Sequence, residues 1–348
     1  MAKRSRTAHT GGPRLDDVAR LAGVSTATVS RALNRPQLVS GRLRRGIEEA
    51  IETLGYVPHG AARALAGRRS HTMGAIIPTI DNAIFARGIQ ALQNTLFARG
   101  FTLLLASSDY DLDRELRAAR RLVERGVDGV LLVGDVHRPA LFTLLRDRHV
   151  PYVETWVHVS DADHPCIGFD NRAATSRVVD YLVNLGHRRI AMIAGITRDN
   201  DRARERVEGA RDALAAHGLH LPPEWLLERP YEVSDGRAAM AELMGIAQPP
   251  TAVVCGNDVL ALGAIFECGS RGIAVPAQVS ITGFDDLDIA AQVNPALTTM
   301  RVPSEEMGRS AARYLLDCLD NRQPPVRTRL EVNLVERATT GPPPGDPH

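Results

Sequence analysis

Cysteine, lysine and aromatic residues are scarce in this chain of 348 residues. It contains four cysteines, one lysine and only 4% aromatic residues. The cysteines are far apart and form no CxxC pair, which argues against a disulfide framework or a zinc site. We expect them to be small buried hydrophobic residues in a reducing compartment: Cys166, Cys255, Cys268 and Cys318.

Long apolar runs and enzyme motifs are also lacking. No stretch approaches the ~20 apolar residues of a membrane span, and the polar, basic start of the chain has no apolar segment typical of a secretory signal. The sequence contains no Walker A, GxGxxG, GxSxG or HExxH motif. We therefore expect a cytoplasmic protein that is not an enzyme and has no membrane partner, cofactor or metal.

The net charge of +1 conceals two parts of opposite charge. Residues 1–69 hold thirteen basic and five acidic side chains, a net of +8, which leaves −7 for the remaining residues. At about 150 residues per domain, the length predicts two or more domains. A small basic head on a larger acidic body is typical of a nucleic-acid binder with a second task. The alternative is an arginine-rich surface that meets only solvent.

The basic head has the pattern of a helix-turn-helix. Residues 15–22 predict a first helix, Gly23 interrupts it, and Ser25 is a suitable N-cap for a second helix that ends at Asn34. The second helix of this motif enters the major groove, so its outward residues are DNA-binding candidates: Ser25, Thr26, Ala27, Thr28, Ser30, Arg31 and Asn34. Two alternatives stay open, because Ser25 could serve only as a cap and Thr28 and Ser30 could contact phosphates.

The next segments complete the head. Residues 47–54 carry an apolar stripe at helical spacing, which would close a three-helix core. Residues 59–66 are an alanine-rich stretch that is too short to form a stable helix alone.

The run LDDVARLAGVSTATVSRALN, followed by VS and then LGYVPHGAARALAG, resembles the lactose-repressor (LacI/GalR) family of bacterial transcription regulators. The resemblance implies that residues 59–66 are a hinge helix that folds on operator DNA, with Leu65 wedged into a minor-groove step. Without the resemblance, Leu65 would be ordinary hinge packing. The resemblance also implies that Thr26 and Ala27 discriminate bases and that Arg31 occupies a shared contact position.

Beyond residue 70, short apolar stretches alternate with helical ones. The predicted strands are residues 73–77, 102–106, 129–133, 152–155, 190–194, 251–255 and 279–284. The predicted helices between them include residues 84–99, 112–125, 171–185, 202–217, 235–244 and 258–272. This alternation predicts parallel sheets covered on both faces, in two lobes. Ligands of such sheets bind at the carboxyl ends of the strands.

The family resemblance extends over this body, through strings such as IGFDN, RRIAMIAG, TAVVCGNDVLALGA, VSITGFDDLDIA and NPALTTMRVP. The predicted fold class is therefore α/β, with a three-helix helix-turn-helix head and a two-lobed body of doubly wound parallel sheets that resembles periplasmic binding proteins. One lobe would hold residues 71–168 and 301–325, and the other residues 169–298. The predicted organisation is a disordered basic arm (1–13), a DNA-binding domain (14–58), a hinge (59–70), an effector-binding and dimerisation body (71–337) and a disordered tail (338–348).

The resemblance further implies which residues bind a ligand between the lobes: Ile84, Phe85, Asp170, Arg206, Tyr231, Asn257 and Asp285. The first two would form an apolar wall, Tyr231 would stack on the ligand, and the polar residues would bind hydroxyl or carboxylate groups. Asp170 has an alternative role as a helix N-cap, and Phe85 as part of the core. Asp258 and Asp286 are further N-cap candidates.

Four arginines between residues 198 and 206 favour an anionic ligand, unless most of them are solvated. The strings IGFDN and FEC, together with His137, resemble the gluconate-type repressors, so we expect a sugar or a sugar acid such as gluconate. The predicted function is a repressor that binds a pseudo-palindromic double-stranded operator as a homodimer under the control of this effector. The alternatives are a solute-binding protein or a sugar-modifying enzyme without a DNA role.

Overall fold

A computed structural model of the chain describes residues 12–34, 36–57, 69–81, 83–159 and 163–345, without the side chains of Asn34 and Pro36. The predicted hinge helix with Leu65 and most of the basic arm lie outside the described residues, as does the predicted role of the Asn34 side chain. The chain divides into two compact units, Met1–His71 and Thr72–His348.

The described part of the N-terminal unit contains three α-helices, α1 (Leu15–Leu21), α2 (Thr26–Asn34) and α3 (Gly41–Leu54). Val18, Val29 and Ile47 contribute one side chain from each helix to a shared core and are almost fully buried. Gly23 lies in the turn between α1 and α2 with a φ of +64°, a left-handed conformation that glycine adopts without the strain of a side chain. The helix-turn-helix prediction is confirmed.

Two six-stranded sheets are found among the described residues of the larger unit. Sheet A consists of β1 (Thr72–Ile77), β2 (Thr102–Ser107), β3 (Gly129–Val133), β4 (Tyr152–Thr155), β5 (Cys166–Gly168) and β11 (Arg327–Arg329). Its strand order is β11-β5-β4-β3-β1-β2, and all of its pairings are parallel.

Sheet B forms the second lobe. It consists of β6 (Ile190–Gly195), β7 (Leu226–Arg229), β8 (Ala252–Cys255), β9 (Ser280–Asp285), β10 (Thr298–Arg301) and β12 (Asn333–Val335). Its strand order is β12-β10-β9-β8-β6-β7, and only β12 pairs antiparallel, with its neighbour β10.

Helices cover both faces of both sheets. The helices of the first lobe are α4 (Ala86–Phe97), α5 (Leu112–Glu124), α6 (Pro139–Asp147) and α11 (Ser304–Leu319), and those of the second are α7 (Asn171–Asn184), α8 (Asp201–Ala216), α9 (Val233–Leu243) and α10 (Asp258–Arg271). Apolar side chains from α4 and α11 pack on one face of sheet A, and those from α5 and α6 on the other. Central strands are buried on both faces, as parallel strands require. The predicted architecture is confirmed.

The chain passes between the lobes three times, near residues 168–171, 301–304 and 329–333. The first two crossings agree with the predicted division of the lobes. The third arises from β11 and β12, short strands that were not predicted. Five of the strands in the described residues were not predicted from the sequence: β5, β7, β10, β11 and β12. Three of them are sheet edges, where short strands lack the continuous apolar run of a buried strand.

Residues 338–341 correct the predicted start of the disordered tail, because they are hydrogen-bonded to sheet B. Thr339 is fully buried, and its hydroxyl donates to the carbonyl oxygen of Ile281 at 2.7 Å. The backbone N–H of Ile281 donates to the carbonyl oxygen of Thr339 at 2.9 Å. The proline-rich composition suggested disorder, but these bonds to β9 hold the segment in place.

Candidate functional site

The outward face of α2 carries small polar residues and one arginine. The Ser25 hydroxyl accepts a hydrogen bond from the backbone N–H of Thr28 at 3.2 Å, so Ser25 caps this helix. Val29 faces the core. The remaining DNA-binding candidates with described side chains are exposed or half-buried: Thr26, Ala27, Thr28, Ser30 and Arg31. Short side chains allow a helix to approach base edges closely, and an arginine can bond guanine with two N–H groups.

The carboxyl ends of the two sheets meet around a small inner cavity of about 20 Å³. Its lining residues come from both lobes: Ile84, Phe85, Tyr110, Trp156, Asn200, Arg202, Arg206, Tyr231 and Asp285. An outer cavity of about 570 Å³ shares Tyr110, Asn200 and Tyr231 with it. The outer volume falls within the range of small-molecule sites, whereas the inner one accommodates about one water molecule.

Arg206 lies at the base of the inner cavity, on α8. Its Nε donates to Asn171 Oδ1 at 2.9 Å and its Nη1 donates to the carbonyl oxygen of Gly256 at 2.6 Å. The guanidinium carbon lies 3.7 Å from the centre of the Phe284 ring, a cation–π contact that is strong when it is shielded from water. These contacts hold the guanidinium in one orientation, with Nη2 4.0 Å from Asp285 Oδ1.

Asp285 ends β9 and faces Arg206. The residue is 7% exposed, and its Oδ2 has no hydrogen-bond partner among the described residues. Burial raises the pKa of this carboxyl to about 7, although the charge of Arg206 opposes the shift. Its φ of +109° is unusual for a residue with a side chain, and strained backbone of this kind concentrates at functional sites. Asp285 can therefore exchange a proton or a hydrogen bond with a ligand near neutral pH.

Asp258 supports the turn that carries Asp285. It is fully buried at the start of α10, where Oδ1 accepts from the Thr299 hydroxyl at 2.5 Å and Oδ2 accepts from the backbone N–H of Leu287 at 2.7 Å. Asp286 points elsewhere, because its carboxylate bonds Arg301 and Arg337. Neither aspartate is the N-cap that the sequence suggested, since each one binds groups outside its own helix end.

Aromatic rings form the walls of the cleft. Phe85 and Trp156 meet edge to face with their ring centres 5.1 Å apart, and Tyr110 and Tyr231 approach to 6.1 Å. Phe85 is only 3% exposed and belongs to the core as well as to the cavity wall. Both predicted alternatives therefore hold for Phe85. The Nε1 of Trp156 is buried without a partner among the described residues.

Sequence reasoning missed three residues of the inner cavity: Tyr110, Trp156 and Asn200. Trp156 directly follows β4, and Tyr110 comes three residues after β2. Asn200 precedes α8 and caps it through Ala203. The sequence signal that could have identified these residues is their position after a strand, because ligands of parallel sheets bind at the carboxyl ends of the strands.

Asp170 and Asn257 do not join the other predicted ligand residues. Asp170 caps α7, where its carboxylate accepts from the Ala173 N–H at 2.9 Å, and it lines a separate surface cavity. Asn257 caps α10 by accepting from the Leu260 N–H at 2.9 Å, and it lines neither chamber of the cleft. Each of these residues directly precedes a helix whose first backbone N–H groups need a hydrogen-bond acceptor. The side chains of Asp170 and Asn257 serve as that acceptor and are therefore not directed at the cleft.

The four arginines between residues 198 and 206 separate into two kinds. Arg202 and Arg206 are 7% and 5% exposed and line the inner cavity. Arg198 lines the outer cavity, and Arg204 is an exposed neighbour of Glu205. Two of the arginines therefore line the inner cavity, one lines the outer cavity and one lines neither.

Across the described ranges, no group of three or more His, Cys, Asp and Glu side chains is arranged to hold a metal ion. None of the described helices is both long and apolar enough to cross a membrane.

Comparison with known proteins relates both units of the chain to one family. Residues 14–59 match the family model described as bacterial regulatory proteins, lacI family, and residues 179–340 match a periplasmic binding protein-like domain. The HTH-type transcriptional repressor PurR of Erwinia tasmaniensis is 34% identical over 93% of this chain and 95% of its own length. The ribose operon repressor of Escherichia coli (strain K12) is 33% identical over 93% of this chain and 99% of its own.

A solved structure extends the similarity to three dimensions. The crystal structure of the lac repressor dimer bound to operator and the anti-inducer ONPF has a TM-score of 0.83 and 27% sequence identity, over 95% of this chain and all of that one. The helix-turn-helix head and the two-lobed body thus occur together in proteins that match along nearly their whole length. This chain belongs to the lacI family of bacterial regulatory proteins and is a DNA-binding transcription regulator.

Proposed function

We propose that this regulator is a repressor that binds a pseudo-palindromic operator as a homodimer and responds to a small polar effector in the cleft. The observation that carries the proposal is the pairing of Arg206 with Asp285, a held guanidinium beside a buried carboxyl whose second oxygen lacks a partner. Buried polar groups without partners are costly unless a ligand satisfies them.

The proposed organisation assigns residues 14–58 to operator binding, 59–70 to a hinge and 71–337 to the effector body. The exposed face of α2 supports base reading by Thr26, Ala27 and Arg31, while Ser25, Thr28 and Ser30 contact bases or phosphates. Asn34 and Leu65 complete the proposed interface. One helix-turn-helix reads a half-site, so a palindromic operator needs two copies of the chain. Such a protein works in the cytoplasm, where the DNA is.

The proposed effector is a sugar or a sugar acid such as gluconate. Arg206 and Arg202 can bind a carboxylate, and Asp285 can hydrogen-bond hydroxyl groups, since a protonated carboxyl both donates and accepts. The aromatic rings of Tyr110 and Tyr231 supply flat apolar walls for the carbon skeleton. Because Asp285 titrates near neutral pH, its neutral form permits an anion to approach Arg206.

Selection of duplexes from a random DNA pool, with purified full-length protein at near-physiological salt, tests the proposal. We expect an enriched inverted repeat, whose recovery changes when gluconate or related sugar acids are added. Enrichment of a single half-site would contradict the dimer. A protein that selects a repeat but ignores sugar acids and neutral sugars alike would contradict the proposed effector class. Operator and effector must change each other's affinity by the same factor, which gives an independent check by titration.

A further inference from the structure

The end of β3 and the loop after it form a polar contact between the lobes beside the inner cavity. The backbone N–H of Asp135 donates to Asp201 Oδ2 of the other lobe at 3.0 Å. Arg202 Nη1 donates to the carbonyl oxygen of Val133 at 3.2 Å and to Asp201 Oδ1 at 2.6 Å. Gly134 has a φ of +94°, and a Cβ atom there would collide with Asp201 and Arg202. The loop therefore fits closely against α8.

His137 holds this loop from the opposite side. Its side chain is fully buried, with Nδ1 2.8 Å from Glu115 Oε2 on α5 and Nε2 3.1 Å from the carbonyl oxygen of Gly134. A carbonyl oxygen only accepts hydrogen bonds, so Nε2 must carry a proton. Nδ1 faces a carboxyl, so a second proton must lie between the ring and Glu115. Both hydrogen bonds exist together only while that second proton is present.

Several charged groups surround the ring. Glu154 on β4 approaches Nε2 at 3.9 Å, and its Oε1 is buried without a hydrogen-bond partner among the described residues. Asp135 belongs to the same loop, and Asp201 of the other lobe interacts with His137 through its charge. The remaining groups near this cluster are Arg202, Arg204, His164 and the ring edge of Phe142.

These surroundings determine how the ring titrates. Burial is the largest influence and lowers the pKa of His137, but the hydrogen bond and charge of Glu115, the charge of Glu154 and the Gly134 carbonyl together raise it above its ordinary value. Burial and the neighbouring carboxylate of Asp201 raise the pKa of Asp135 to about 6. Burial also raises the pKa of Glu154 to about 8, against the effect of His137.

We propose that His137 is a positioning residue for closure of the cleft, and that the proton shared with Glu115 makes this closure depend on pH. With the proton present, the ring holds the Gly134 carbonyl and presents the loop to Asp201 and Arg202. Without it, Nδ1 and the Glu115 carboxylate repel each other, and the loop is released from α8. The inference rests on the proposed function only in taking the cleft as the effector site.

The expected direction of the pH dependence follows from whether each pKa is raised or lowered. A histidine whose pKa is raised by folding stabilises the structure at low pH and loses that contribution as pH rises through its folded value. Buried acids with raised pKa values, such as Asp135 and Glu154, also destabilise their contacts once they ionise. In this proposal the three raised pKa values favour the held loop, and with it the closed cleft, at lower pH and its release at higher pH, whereas Asp201, whose pKa is lowered, against the effect of burial, mainly by Arg202, keeps its charge over this range.

Trp156 supplies a reporter of closure, because it lines the inner cavity. The sequence has two tryptophans, so a Trp225→Phe background leaves Trp156 as the single fluorophore excited at 295 nm. Acrylamide quenching of the ligand-free, DNA-free protein is measured between pH 5.5 and pH 9, with circular dichroism to confirm that it stays folded. We expect the Stern–Volmer constant to rise about twofold or more above neutral pH.

Glu115→Gln is the matched variant, because an amide N–H can donate to a neutral His137 and preserve both hydrogen bonds without the titrating proton. We expect its quenching to stay low above neutral pH, and His137→Phe to be quenched strongly at every pH. Asp212→Asn, which removes an exposed acid on the outside of α8, should retain the wild-type rise, because that carboxylate contacts neither the loop nor the cavity.

A flat profile for the parent protein would overturn the proposal, even if a variant fails to fold. So would an identical rise in the parent and in Glu115→Gln. Neither result depends on an operator or effector, so failure here is distinct from failure of the proposed function.

Discussion

Asn171 joins Arg206 to the opposite lobe. Its Oδ1 accepts from Arg206 Nε at 2.9 Å, and its Nδ2 donates to the carbonyl oxygen of Trp156 at 3.0 Å. The residue is 4% exposed and lies at the first crossing between the lobes. The orientation of this guanidinium, which we propose binds the effector, is thereby tied to the strand end of sheet A.

Replacement of Asn171 should weaken effector binding without removing any group that touches the effector. We expect Asn171→Ala to lower affinity by about tenfold or more, since a hydrogen bond to a charged group contributes about 1.5–3 kcal/mol. Calorimetric titration with the effector found in the selection gives the affinity. The control is Asn184→Ala at the far end of the same helix, and equal losses in both variants would contradict the role of Asn171.

The affinity for a sugar acid should fall as pH rises through about 7. Asp285, whose pKa burial raises to about 7, is neutral below this value and leaves Arg206 available to the anion. Above it, the ionised carboxylate competes for Arg206 and repels the ligand, by up to about tenfold per pH unit. Titrations between pH 5.5 and pH 8.5 measure the slope.

Substitutions of Asp285 test whether ionisation of its carboxyl causes the pH dependence of effector affinity. Asp285→Asn should reduce the pH slope, and Asp285→Ala should abolish the effector response while operator binding stays intact. Asp212→Asn, an exposed acid on the outside of α8, serves as the control. A normal effector response in Asp285→Ala would remove Asp285 from the site.

Arg31 should contribute to operator specificity. We expect Arg31→Ala to cost about 1–3 kcal/mol of operator binding if the guanidinium reads a base, or roughly 5- to 160-fold in affinity. Gel-shift titrations on the selected operator and on random duplexes measure the difference. Arg44→Ala, an exposed arginine on α3, is the control, and equal losses on both DNAs would show that Arg31 contacts only phosphate.

We expect even one added methyl group at Gly88 to lower the stability of the body. A Cβ atom there would lie 2.6 Å from Trp156 Cη2 and 3.1 Å from the carbonyl oxygen of Ser304, so Gly88→Ala should destabilise the body by about 1–3 kcal/mol. Urea unfolding followed by tryptophan fluorescence measures the change.

Gly269→Ala is the matched control for that substitution. Gly269 lies within α10 of the same unit, with open space around its Cα, and alanine is the better helix former by about 1 kcal/mol. We expect no loss of stability in this variant. An unchanged urea midpoint for Gly88→Ala would show that α4 and Trp156 can move apart at little cost.

The sequence alone determined the helix-turn-helix, the alternation of strands and helices, and the family. These features depend on local signals such as Gly23, the Ser25 cap and the buried apolar runs of central strands, which act over a few residues. The prediction of Arg206, Tyr231 and Asp285 as cleft residues came from the family resemblance and not from any local pattern.

Only the tertiary structure decided which polar residues after a strand turn inward. Asp170 and Asn257 are bound by their own helix ends, whereas the positive φ of Asp285 turns that residue toward Arg206. The contact of His137 with Gly134 and Glu115, and that of Gly134 with the other lobe, join residues far apart in the chain. Burial, unpaired oxygens and pKa values depend on such contacts, because they arise from the surroundings of a group and not from its place in the sequence.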